Sequence, residues 1–221
     1  AFAGAGPVVE WITAVCQREV LAAGGLGAQI WEAVDRGEIT DQQAPLLVRS
    51  LLAAGLDTTV YGIGNALYSL ATNPTQYELL HADPMLAKAA FEESLRYESP
   101  VQTFFRTTTR DVEVDGILIP AQEKVLLFLG AANRDPRRWG EDASRYDIRR
   151  RTAGHVAFGH GIHVCVGQFI ARLEGELVLA ALARRASRLD LAGEPVAKLN
   201  NTLKGFRHLP LRATAANSAP R

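Results

Sequence analysis

A mainly helical fold with a small β-sheet is what this sequence predicts. Three observations carry that reading: one helical stretch runs from Thr40 to Ala71, shorter helical segments flank it, and residues 101–129 switch to a strand-like pattern rich in Val, Ile, Thr and Phe. With 221 residues, 48% of them hydrophobic, the chain has enough apolar side chain for a substantial core.

Residues 7–36 read as one or two short helices interrupted at Gly24-Gly25. In the long helix, Thr40 and Gln43 have capping-box spacing, Pro45 complicates the first turn and offers an alternative start for the regular helix, and Asn73-Pro74 forms the stop. About 27 residues, each rising about 1.5 Å, make it about 40 Å long. Two helices follow at 74–82 and 84–98, the second opened by Asp83-Pro84. Asp115-Gly116, set between Val112–Val114 and Ile117–Ile119, is a tight hairpin signal. Residues 130–164 read as loop-rich, a helix spans about Cys165 to Arg188, and Leu199 to Leu211 read as a small strand pair. Residues 1–221 are expected to form part of one domain, with 212–221 a disordered tail.

Charge argues against one class of partner. The chain carries 24 basic and 24 acidic side chains, which gives no field for nucleic acid. Their distribution is uneven: residues 1–130 hold 8 Lys and Arg against 16 Asp and Glu, and residues 131–221 hold 16 against 8. A basic face in the second half is therefore expected. Cys16 and Cys165 are too few for a disulfide framework and suit a reducing cytoplasm. No apolar run reads as long enough to span a membrane. The N-terminus lacks an initiator Met and the basic-then-apolar order of a signal peptide, as the interior of a longer chain would.

The run Phe158-Gly159-His160-Gly161-Ile162-His163-Val164-Cys165-Val166-Gly167 carries the chemistry. Its glycines permit positive φ and close approach of backbone to a flat ligand, and its cysteine lies where a long helix begins. A helix N-terminus favours thiolate over thiol, the form an axial iron ligand needs. A zinc site built from His155, His160, His163 and Cys165 is the rival, weakened by the lack of a second Cys/His group at ligand spacing. Within the long helix, Ala54-Gly55-Leu56-Asp57-Thr58-Thr59 combines small residues with a hydroxyl that can bond back to the Ala54 carbonyl, opening a groove for water. Glu93 and Arg96, three apart, share a helix face.

These motifs resemble those of cytochromes P450. The loop matches the haem-loop pattern F-G-x-G-x-H-x-C-x-G at every fixed position, A-G-x-D-T-T fits residues 54–59, and E-x-x-R fits Glu93 to Arg96. The resemblance runs from about Val9 to Leu211 and implies the C-terminal portion of that fold, with a further large N-terminal portion in a complete member. It implies haem b held by Cys165, with Phe158 shielding the sulfur and Gly159, Gly161 and Gly167 shaping the loop. His163 and Arg106 would bind propionates. Ala54 and Gly55 would leave room for the cofactor, while Thr58 stabilises bound dioxygen and Asp57 relays protons. Glu93, Arg96 and a later arginine would form a buried triad, with Arg150 aligning best and Arg149 as the alternative.

The resemblance further implies a monooxygenase fed by a 2Fe–2S ferredoxin and its NAD(P)H-dependent reductase, docked on a basic face drawn from Arg134, Arg137, Arg138, Arg172, Arg184 and Arg185. Ala44-Pro45-Leu46-Leu47-Val48-Arg49-Ser50, Pro100 to Arg106 and Asn200 to Leu203 are nearest to the bacterial subfamily oxidising para-substituted benzoates. Hydroxylation or O-demethylation of a substrate such as 4-methoxybenzoate is then expected, with Arg49 and Ser50 near its carboxylate and Val101 and Phe104 along its ring. The alternatives are a haem-binding chain without turnover and a monooxygenase of another small hydrophobic substrate.

Overall fold

The computed structural model of the chain describes residues 6–216. Packing divides it into two compact units, one ending at Asp57 and one starting at Thr58, where the sequence reading expects part of one domain. Each unit has its own apolar cluster.

In the first unit, helices α1 (Gly6–Val15) and α2 (Leu26–Asp35) are separated by a short 3₁₀ turn and by Gly24, which takes a positive φ of 74°. Cys16, Trp31, Ala44 and Val48 form the core. Trp31 donates its indole N–H to the Cys16 carbonyl at 3.1 Å, and Arg18 closes the cluster by pairing with Asp35 at 2.7 Å.

Helix α3 (Ala44–Thr72) contains the boundary between the units. The capping box forms: Thr40 N–H donates to the Gln43 side-chain oxygen at 2.8 Å, and Gln43 N–H to the Thr40 hydroxyl at 3.3 Å. It closes the turn before α3, so the regular helix starts at Ala44, beside Pro45. By length and composition α3 would reach across a membrane. The sequence reading missed this because Arg49 and Asp57 interrupt the apolar run. The second half of α3 is committed to protein: Ala66 and Leu70 lie in the core of the second unit, and Asn65 donates to the Lys204 carbonyl at 3.0 Å.

Helices α4 (Pro74–Ala82) and α5 (Ala87–Glu98) follow, then strands β1 (Thr103–Thr107), β2 (Val112–Val114), β3 (Ile117–Ile119) and β4 (Lys124–Phe128). β1 pairs with β4 and β2 with β3, both antiparallel. Asp115 and Gly116 have φ of 49° and 78°, the two positive values that a two-residue turn matched to strand twist requires. Short helices α6 (Leu129–Ala132) and α7 (Pro136–Trp139) lead to the loop preceding α8 (Gln168–Arg185).

Strands β5 (Ala186–Leu191), β6 (Val196–Ala197), β7 (Phe206–His208) and β8 (Leu211–Ala215) complete the chain. Here three expectations are corrected. α8 stops at Arg185 rather than Arg188, because residues from Ala186 onward pair with β8. Residues 212–215, expected in a disordered tail, are strand for the same reason; 217–221 lie outside the described residues. The strands within 199–211 find their partners upstream, β7 on β6, instead of pairing with each other.

The core of the second unit is set where α5 meets α8. A Cβ on Gly175 would come within 2.4 Å of the Phe91 ring, so only glycine permits this approach. Leu179 and Ala183 continue the contact, and Tyr77 ties α4 to β5 by donating to the Ala186 carbonyl at 3.0 Å.

Candidate functional site

Behind the cysteine loop, α5 carries a buried charge network. Glu93 and Arg96 have fully buried side chains and meet in a bidentate pair, Nε to Oε2 at 2.7 Å and Nη2 to Oε1 at 2.8 Å. Arg96 Nη1 donates to the carbonyls of Asn133 at 2.8 Å and Ala143 at 3.0 Å. Burying such a pair is costly unless every donor is matched, as here. Arg150 joins it, 3.4 Å from Glu93 Oε1 and 2.8 Å from Asp142, whereas Arg149 is exposed. The structure thus brings Glu93, Arg96 and Arg150 together. The Arg150 guanidinium holds the Asp142 carboxyl below its usual value.

A second network engages the loop itself and was missed in the sequence. Glu92 Oε2 accepts from His155 Nε2 at 2.7 Å, and Oε1 accepts from Arg172 Nε. Burial alone would raise the Glu92 pKa, but these hydrogen bonds together outweigh it and leave the group below the usual carboxylate value. The Arg172 guanidinium lies 4.3 Å from the centre of the Phe158 ring. His155 and Arg172 are 63 and 80 residues from Glu92, so no local pattern signals the cluster. Its one faint trace is the doubled acid Glu92-Glu93.

In the loop, Gly159 has φ of 74° and a Cβ there would come within 3.0 Å of the His163 carbonyl oxygen, so glycine is required twice over. Gly161 has φ of 65°. Cys165 N–H donates to the Phe158 carbonyl at 2.8 Å, closing the loop. α8 starts at Gln168, three residues later than expected, yet a Cβ on Gly167 would lie 3.9 Å from Cys165 Sγ. The sulfur therefore sits near the entry of an 18-residue helix with no side-chain cap hydrogen bond.

Cys165 is exposed, and its neighbours Ile162, Val164, Val166 and Phe169 are 96%, 45%, 79% and 76% exposed. An outward sulfur ringed by uncovered apolar side chains fits a flat, largely apolar iron macrocycle. It does not fit zinc: His155 has both ring nitrogens engaged, Nε2 by Glu92 and Nδ1 by the Ala157 N–H at 3.2 Å. The arrangement fits the expected haem-thiolate loop, in which Cys165 would ligate iron and Phe158 would lie beside the sulfur.

The other predicted residues are placed less conclusively. His163 is exposed on the turn Gly161–His163. Arg106, half-buried on β1, donates to the Phe105 carbonyl at 2.8 Å and stacks on Phe104. Ala54, Gly55 and Asp57 are exposed on the part of α3 in the first unit; Thr58, half-buried, begins the second. Arg49 is exposed, and Ser50 donates its hydroxyl proton to the Leu46 carbonyl at 2.8 Å. Val101 is half-buried and Phe104 exposed. Of the six arginines assigned to a docking face, four have partners within the chain: Arg172 is held by Glu92, Arg134 donates to the Tyr97 carbonyl at 2.7 Å and stacks on its ring, Arg138 donates to the Ala153 carbonyl at 3.0 Å, and the exposed Arg137 pairs with Asp135 at 2.6 Å.

Comparison with known proteins shows the family. The family profile described as Cytochrome P450 matches residues 26–202. Cytochrome p450 CYP199A2 of Rhodopseudomonas palustris is 60% identical over 210 residues, covering 95% of this chain and 51% of the relative. The 6-deoxyerythronolide B hydroxylase of Saccharopolyspora erythraea is 40% identical over 181 residues, covering 80% and 45%. Among solved structures, CYP108D1 from Novosphingobium aromaticivorans superposes with a TM-score of 0.86 at 34% identity, covering 96% of this chain and 53% of that one. The chain belongs to the cytochrome P450 family, whose cofactor is haem iron. It spans about half the length of the curated relatives it matches.

Proposed function

We propose that the full-length protein is a haem-thiolate monooxygenase that inserts one oxygen atom of O₂ into a small aromatic carboxylate. The carrying observation is the exposed Cys165 sulfur near the entry of α8, in a loop shaped by Gly159 and backed by the Glu93–Arg96–Arg150 network. Haem b, when bound, supplies the oxidising chemistry. Around it, Phe158 would exclude water from the sulfur side, and His163 and Arg106 would bind its propionates. Asp57 would relay protons from solvent into the site, and the Thr58 hydroxyl would stabilise bound dioxygen.

A para-substituted benzoate such as 4-methoxybenzoate is the proposed substrate, undergoing hydroxylation or O-demethylation. Supporting it are the segments 44–50, 100–106 and 200–203 noted above and the high identity to CYP199A2. Ser50 would have to release the Leu46 carbonyl to donate to a carboxylate, which leaves Arg49 as the main source of positive potential. Electrons come from a 2Fe–2S ferredoxin with an NAD(P)H-dependent reductase in the cytoplasm, docking through the exposed Arg137, Arg184 and Arg185 rather than Arg134 or Arg172.

Two measurements test this. Reduced full-length protein under CO should show the red-shifted Soret band of a thiolate ligand; an unshifted band in folded protein ends the haem-thiolate reading. Ferric protein titrated with 4-methoxybenzoate should change spin state. If the neutral methyl ester binds as well, the carboxylate anchor is wrong while the monooxygenase reading stands.

A further inference from the structure

We infer that Glu92 is a positioning residue that clamps the cysteine loop from both ends, one carboxylate oxygen on His155 ahead of Cys165 and the other on Arg172 beyond it. The inference deepens the reading of Cys165 as a haem ligand and rests on it for its spectroscopic consequence. Consecutive helical residues point about 100° apart. The two acids of α5 therefore face different partners: Glu93 meets Arg96 and the segment at Asp147 and Arg150, and Glu92 meets the loop.

Each arm reaches the region of the sulfur. On one side, His155 Nδ1 accepts the Ala157 N–H at 3.2 Å, so the ring proton sits on Nε2 and is donated to Glu92. This fixes the ring orientation and pins the backbone one residue before Phe158. On the other side, Arg172 is held between Glu92 and the Gln168 side-chain oxygen, with its guanidinium 4.3 Å from the Phe158 ring centre. The Phe158 carbonyl in turn accepts the Cys165 N–H at 2.8 Å. The side chains of His155, Glu92 and Arg172 are 4%, 16% and 26% exposed, so water competes poorly for these bonds.

The clamp needs a carboxylate. A Gln at position 92 has one acceptor oxygen and would turn an amide donor toward either His155 or Arg172, both of which are donors here. Glu92→Gln thus releases one arm while keeping the shape of the side chain. His155→Gln can still offer an amide donor to Glu92 but has no acceptor where Nδ1 lies, so it frees the Ala157 N–H.

The experiment uses the full-length holoprotein and its variants Glu92→Gln, His155→Gln and, as a charge control on the exposed face of α5, Lys88→Gln. Hydrogen exchange across residues 155–167 should quicken by about tenfold in Glu92→Gln, the factor that losing a hydrogen bond to a charged group gives. Part of its ferrous–CO complex should lose the thiolate band. Lys88→Gln should behave as the unmutated protein in both, while His155→Gln should quicken exchange in the loop as Glu92→Gln does. Exchange in Glu92→Gln that is unchanged, or raised equally in α4 and β5, overturns the clamp. Should the unmutated protein itself lack the thiolate band, the ligand reading fails, and the exchange comparison still decides the clamp.

Discussion

The rear and the front of the cysteine loop are built on opposite terms. At the rear, Glu93 and Arg96 are fully buried and every polar group of the guanidinium has a partner. At the front, Ile162, Val166 and Phe169 are more than three-quarters exposed, and Cys165 faces outward with them. The rear stabilises itself through interactions within the chain. The front is apolar surface whose burial requires something flat laid against it.

The largest break in that comparison is at the rear. Arg96→Ala leaves the Glu93 charge buried with only the more distant Arg150, and stability should fall by about 3–5 kcal/mol, read by urea denaturation. A loss under about 1 kcal/mol would mean that the network is not a stabilising scaffold.

Gly175→Ala sharpens the same point at the α5–α8 contact. Helix propensity alone favours alanine by about 1 kcal/mol. The Phe91 ring, 2.4 Å from the added Cβ, should reverse the sign and cost about 1–3 kcal/mol, measurable by thermal melting.

Acid should attack the clamp through the Glu92 carboxyl. Because the folded Glu92 carboxyl lies below its unfolded value, its contribution is complete above about pH 4.3 and is lost as pH falls through the folded value. Denaturation midpoints of Glu92→Gln should therefore decline less steeply than those of the unmutated protein over that acid range. Parallel declines would show that the His155 and Arg172 bonds do not perturb it.

The smallest effect belongs to the front. Val166→Ser removes an apolar side chain that is 79% exposed, and without haem should change stability by no more than about 0.5 kcal/mol. Haem loss to an apoglobin acceptor should nevertheless be faster. If the variant instead destabilises the haem-free chain strongly, the front is part of the core and the contrast fails.

Much of this was legible in the sequence because it depends on neighbours along the chain. The loop glycines, the hairpin at Asp115-Gly116, the capping box at Thr40 and the acid and base at Glu93 and Arg96 follow from local backbone and spacing rules. Sequence spacing also singled out Cys165 and favoured Arg150. What it misread involves partners far apart: β8 extends to Ala215 because β5 pairs with it, and α8 ends early for the same reason. The grip of Glu92 on His155 and Arg172, and the Gly175 seat for Phe91, likewise joins residues 63 to 84 positions apart. Local stereochemistry is written residue by residue, so the sequence alone determined the backbone shape of the loop. Which distant side chains share a buried space depends on how the helices pack, and that only the tertiary structure decided.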